Sequence, residues 1–171
     1  AKQFAWQARY AGADNTLGLG NVNFIDETNN PIGVDLSDPA SLDDKPVTEL
    51  HLPKGKKVLF KFRSQDVLHS AYMPHFRAQM NCVPGMVTQF AFTPKYTTEE
   101  MREQSEVMDK VRGINKIRSE KGEDLYEFDY VLLCNKICGA SHYSMQMKIV
   151  VEEEEDYKQW LAEQPTFAEK L

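Results

Sequence analysis

The run Cys134-Asn135-Lys136-Ile137-Cys138-Gly139-Ala140-Ser141-His142-Tyr143-Ser144-Met145 gathers two thiols, an imidazole and a thioether within twelve residues. Thiolate, imidazole and thioether together are the soft and intermediate donors that copper selects. A second imidazole, His69, is available from Ser64-Gln65-Asp66-Val67-Leu68-His69-Ser70. One cysteine, two histidines and an axial methionine would make a mononuclear electron-transfer site. The second cysteine changes that stoichiometry. Two thiolates can each bridge two metal ions, giving a compact Cu₂S₂ core with one histidine per copper. Met145 and a main-chain carbonyl then serve as weak outer ligands. One electron shared over two metals spreads the bond-length change, which keeps the reorganisation cost of transfer small.

Other readings of the same residues stay open at this point. Cys134 and Cys138 could form a disulfide, and two Cys with two His could hold a structural zinc, although Met145 would then be idle. Cys82 reads as a buried free thiol. His51 and His75 read as surface or packing residues, Met147 as core, and Met73 and Met80 as loop or interface packing.

The elements that must position these donors read mostly as strands. Phe4, Trp6, Ala8 and Tyr10 alternate over residues 3–10, the period of a strand. Residues 11–45 are rich in Gly, Asn, Asp and Pro and read as a long loop with turns. Strands follow at 49–52 and 57–63, the latter with Val58, Phe60 and Phe62 inward. Further strands are expected at 86–92, at 126–133, and at 146–151 with Met147, Ile149 and Val151 on one side. The cysteine run therefore lies in a loop held by a strand at each end. Six or so short strands with long connections favour a β-sandwich or Greek-key barrel.

Two stretches read as helix. Thr97 to Glu100 offers a capping box, and Met101, Met108, Val111, Ile114 and Ile117 or Arg118 recur near helical spacing up to Gly122. This predicts one helix over about 97–118, inserted between two strands. Tyr157–Ala162 reads as a short C-terminal helix anchored by Trp160, entered through the acidic run Glu152–Asp156.

With 171 residues and 42% apolar content, one domain over 1–171 is expected, with 97–124 as a helical insertion and 152–171 as an acidic C-terminal extension. The net charge of −6 argues against nucleic acid and suits a basic protein partner. No apolar run approaches the roughly 20 residues of a membrane-spanning helix. No signal peptide is visible at Ala1, so the domain is either naturally soluble or lacks its membrane part.

Ser64-x-Asp66-x-x-His69-Ser70, Pro74, Val83-Pro84-Gly85 and Cys134-x-x-x-Cys138-Gly139-x-x-His142-x-x-Met145 together resemble subunit II of haem–copper cytochrome c oxidase. The likeness is to its soluble CuA domain and covers most of 1–11 and 47–152 outside the insertion. It implies an all-β, cupredoxin-like Greek-key barrel or sandwich. It implies two copper ions held by His69, Cys134, the main-chain carbonyl of Lys136, Cys138, His142 and Met145. Cytochrome c would be the donor and haem in oxidase subunit I the acceptor, with electron entry near Phe4 and Trp6. The domain would sit on the periplasmic face of the membrane, or its equivalent, carried by transmembrane helices not present in this chain. Phe4 replaces a Trp frequent in the family. Lys136 and Asn81 stand where the family has acidic residues near a magnesium site, which implies that the Lys136 ammonium takes the place of magnesium. The same centre occurs in nitrous oxide reductase, the alternative reading, but without the propeller that family carries.

Overall fold

The structure is a computed structural model that describes residues 1–170. Among the described residues nine strands form three sheets. The largest has five strands: β3 (Leu50–Pro53), β9 (Gln146–Glu152), β8 (Tyr130–Cys134), β5 (His69–Met73) and β6 (Ala78–Cys82), in that spatial order. β4 (Val58–Phe62) pairs with β7 (Thr88–Phe92) in a second sheet, and β1 (Ala8–Tyr10) with β2 (Lys45–Val47) in a third. The connection explains the Greek-key character. After the β5–β6 hairpin the chain leaves for the second sheet as β7, crosses through the helices, and returns as β8 beside β5. The all-β expectation is met.

The core lies between the two main sheets. Leu50 and Leu52, Phe62, Ala71, Met73, Leu132, Met147, Ile149 and Val151 are buried there. Leu52 and Ile149 are wholly excluded from solvent, each worth about 1.5–3 kcal/mol of burial. On the β4–β7 sheet the inward period-two residues Phe60 and Phe92 stack at 5.4 Å. Phe76 links Phe92 at 4.7 Å to Tyr130 at 4.5 Å, tying one sheet to the other.

Several elements differ from the reading of the sequence. The N-terminal strand is only Ala8–Tyr10; before it, Ala1, Phe4 and Trp6 pack against Cys134, Cys138 and Met145. β5 and β6 are strands where none was expected. β5 carries no clean alternation, being buried at four of its five positions, so it lacks the polar residues that mark a half-exposed strand. β6 alternates, with Gln79 and Asn81 exposed between Ala78, Met80 and Cys82. Met73 is core, not loop. The strand expected at 126–133 spans Tyr130–Cys134, since Asn115 takes both main-chain groups of Tyr126, donating to its carbonyl at 2.9 Å and accepting from its N–H at 2.7 Å.

The predicted helix is two, α2 (Thr98–Arg102) and α3 (Ser105–Glu120), the four-residue helix α1 (Pro39–Leu42) lying earlier in the long loop. The capping box forms as read: Glu100 N–H donates to Thr97 Oγ1 at 3.0 Å, and Thr97 N–H donates to Glu100 Oε2 at 2.9 Å. No breaker separates α2 from α3. Tertiary bonds do: the Thr98 hydroxyl accepts from Val151 N–H at 2.8 Å, and Arg102 donates to Phe128 O at 2.9 Å, holding α2 down on the sheet while α3 follows the 123–128 segment. The C-terminal helix α4 (Glu154–Glu163) starts inside the acidic run, where carboxylates suit the positive end of a helix. Trp160 anchors it, stacking on buried His51 at 3.8 Å. Among the described residues no helix is long and apolar enough to cross a membrane.

Candidate metal centre

Sheet register brings the donors to one pole. β5 begins with His69, and β8 ends with Cys134 opposite Ala71 of β5. β8 and β9 are antiparallel neighbours, so the 134–145 loop is their hairpin connection. It closes where Cys134 N–H donates to Met145 O at 3.1 Å, which joins the two ends of the loop. Asn135 N–H donates to Ser70 O at 3.2 Å and zips the loop onto β5. A 3-10 turn at His142–Ser144 brings the second imidazole back, with His142 N–H donating to Gly139 O at 3.2 Å.

The result is a chain of donor atoms. His69 Nδ1 lies 3.8 Å from Cys134 Sγ, which lies 4.0 Å from Cys138 Sγ. Cys138 Sγ in turn lies 3.6 Å from His142 Nδ1 and 4.0 Å from Met145 Sδ. The carbonyl of Lys136 is 3.2 Å from Cys134 Sγ. His69 is fully buried, Met145 is 2% exposed, and both cysteines are 7% exposed. His142 is half-buried and opens toward solvent beside exposed Tyr143 and Ile137.

Asp66 orients the inner histidine. Its Oδ1 sits 2.8 Å from His69 Nε2, and Gln3 N–H donates to its Oδ2 at 2.7 Å. Burial works to raise the Asp66 carboxyl, yet the hydrogen bonds from Gln3, His69 and Val67 win and hold it below the usual carboxylate range. A carboxylate that accepts from Nε2–H leaves the Nδ1 lone pair facing Cys134. Burial, and then the neighbouring Cys134, push the Cys138 thiol up. Metal ligation by a cysteine requires the thiolate, so a bound cation would displace the Cys138 proton.

The donor set fits copper. Both cysteines are free and their sulfurs stand well beyond disulfide length. Among the described residues, His69, Cys134 and Cys138 form the one group of three such donors within 4.8 Å of one another. Two sulfurs lie at the centre, with an imidazole beyond each. A tetrahedral zinc would use the four Cys and His donors and leave a buried thioether beside them unused. Phe4 and Trp6 pack against the Cys134–Cys138–Met145 group, and the Trp6 ring lies 6.5 Å from the His69 ring. Lys136 and Asn81 are exposed; Asn81 Oδ1 accepts from Gln79 at 2.9 Å. Cys82 is buried in the core in register with His69, as a free thiol. Reading the sequence left two participants unassigned: Asp66 as the partner of His69, and Gln3. The three-residue step from Asp66 to His69 was a usable signal for the first; nothing local marked the second.

Comparisons with known proteins point to one family. The family model described as cytochrome C oxidase subunit II, periplasmic domain, matches residues 2–115. An alternative cytochrome c oxidase subunit 2 of Bradyrhizobium diazoefficiens is 39% identical over 169 residues, covering 98% of this chain and 50% of the relative, so that alignment includes the cysteine loop. A cytochrome c oxidase subunit 2 of Thermostichus vulcanus is 26% identical over 112 residues, 66% of this chain and 25% of its own. The chain thus spans half or less of the length of these relatives. Among solved structures, the periplasmic domain of subunit II of cytochrome oxidase of Bradyrhizobium japonicum is similar at 18% identity and a TM-score of 0.48, covering 72% of this chain and 67% of that one. From the matched span and the identity along nearly its whole length, the chain belongs to the cytochrome c oxidase subunit II family, in its periplasmic domain.

Proposed function

We propose that this chain is the dinuclear-copper electron-transfer domain of a haem–copper oxidase, bound to the enzyme's membrane part through segments outside the sequence. Residues 1–171 act as one unit, with 97–124 an insertion and 152–171 an extension. Its electrons come from cytochrome c and go to haem in subunit I, on the periplasmic face. The single observation that carries the copper reading is the sequence of contacts His69–Cys134–Cys138–His142, with Met145 beside Cys138. Family membership favours an oxidase over a nitrous oxide reductase.

The proposed ligands are His69, Cys134, the Lys136 carbonyl, Cys138, His142 and Met145. Bound there, a copper pair supplies a one-electron couple shared between two ions. The protein's own part is to hold the donors still. Asp66 fixes the His69 ring, the β8–β9 hairpin fixes both ends of the loop, and burial of four donors excludes water. Rigid donors change position little between redox states, which favours rapid transfer. Phe4 and Trp6 are proposed as the entry point, on their packing against the sulfur group. Lys136 and Asn81 leave this pole without the two acidic groups of the resembled family. We expect no stoichiometric magnesium beside the loop in the intact oxidase, and metal analysis finding it would refute that reading.

Copper per chain together with the EPR spectrum tests the main proposal. Two coppers and a seven-line mixed-valence pattern are expected after reconstitution of the reduced protein. Uptake of one ion only, or of zinc in a colourless protein, would overturn it.

A further inference from the structure

Gln3 is exposed and lies far from the cysteine loop in sequence, yet it touches both halves of the centre. Its main-chain N–H donates to Asp66 Oδ2 at 2.7 Å, and Asp66 Oδ1 meets His69 Nε2. Its side-chain Nε2 donates to the carbonyl oxygen of Cys138. The segment is aligned for this by Gln65 N–H, which donates to Ala1 O at 2.9 Å.

The loop needs such a hold. Lys136, Ile137, Gly139 and Ala140 are all exposed. From Lys136 to Ser141, among the described residues, the bond from Gln3 is the loop's one hydrogen bond to anything outside 134–145. Cys134 is the last residue of a strand, whereas Cys138 has no sheet partner. Gly139 makes the approach possible: at φ +147 it carries no side chain, and a Cβ there would fall 2.7 Å from Phe4 Cε1 and 2.8 Å from Gln3 Nε2.

We infer that Gln3 is a positioning residue of the centre, tying the Asp66–His69 segment to the Cys138 carbonyl so that the second thiol stays in place beside the first. This rests on the metal-centre reading above. Gln3 acts through Cys138 and Asp66 and is not itself a ligand.

Gln3→Met keeps the size of the side chain and removes the donor; Gln3→Glu opposes the Cys138 carbonyl with another acceptor. In the reduced, metal-free protein, alkylation of each cysteine is followed by mass spectrometry of its labelled peptide. Cys138 should react about two- to tenfold faster in Gln3→Met, the range for losing one hydrogen bond, and at least as fast in Gln3→Glu. Cys134 and Cys82 should react at the wild-type rate, with an unchanged melting temperature. After copper loading, the variants should release copper to a chelator faster and show a shifted visible spectrum. Wild-type Cys138 reactivity in both variants would overturn the inference, as would an equal rise at all three cysteines. Failure of the wild-type protein to take two coppers would sink the proposed function alone, because the alkylation experiment needs no metal.

Discussion

Asp66 Oδ1 and His69 Nε2 lie 2.8 Å apart, three residues from each other at the mouth of β5, and this pair decides which ring nitrogen faces the sulfurs. Ligating histidines commonly give their second N–H to a carboxylate, and losing that partner typically lowers metal affinity about 10–100-fold. Asp66→Ala should show a loss of that size in chelator competition, with Asp66→Asn milder because an amide oxygen still accepts. Equal copper affinity in all three proteins would mean that the ring is held by packing alone.

Cys134 and Cys138 have distinct supports but one proposed role. Either Cys134→Ser or Cys138→Ser should abolish the two-copper optical spectrum, since a hydroxyl does not bridge as a thiolate does. Both cysteines are buried near other apolar groups, so the melting temperature of the metal-free protein is the control for folding. An intact spectrum in either variant would rule out bridging thiolates.

Met145 is 2% exposed and sits 4.0 Å from Cys138 Sγ. Met145→Leu conserves volume and should cost less than about 1.5 kcal/mol of stability. It should keep the copper and raise the reduction potential, because a weak donor is lost. Protein-film voltammetry showing an unchanged potential would place the thioether outside the ligand set.

Asp44 supplies a pH signature away from the centre. Its side chain is wholly buried, with Oδ2 accepting from Arg9 Nη1 at 2.5 Å and from Gly18 N–H at 3.1 Å. Burial, only partly offset by Arg9, pushes its carboxyl up to about 6. The folded protein therefore binds this proton more tightly than the unfolded chain, whose value is about 3.9. The resulting stability is fully present below about pH 4 and is lost as pH rises through about 6. Asp44→Asn, which mimics the protonated group, should gain in melting temperature relative to wild type across that interval. A constant difference between the two proteins from pH 4 to 7 would contradict it.

What the amino-acid sequence determined by itself is the set of donors and much of the framework. Cys134, Cys138, His142 and Met145 could be grouped without a structure because one short loop carries them all, and their chemical softness is a property of residue type. Val58, Phe60 and Phe62, and likewise Met147, Ile149 and Val151, announced their strands because one side of each is wet. The capping box at Thr97 is equally local. Tertiary structure decided the rest. β5 was hidden because burial on both faces erases alternation, and the break between α2 and α3 comes from Arg102 and Thr98 bonding to distant strands. The stack of His51 on Trp160 and the bond from Gln3 to Cys138 join residues more than a hundred positions apart. Such contacts leave no periodicity or spacing in the chain, since they depend on which sheet edges and loop ends the fold brings to one pole.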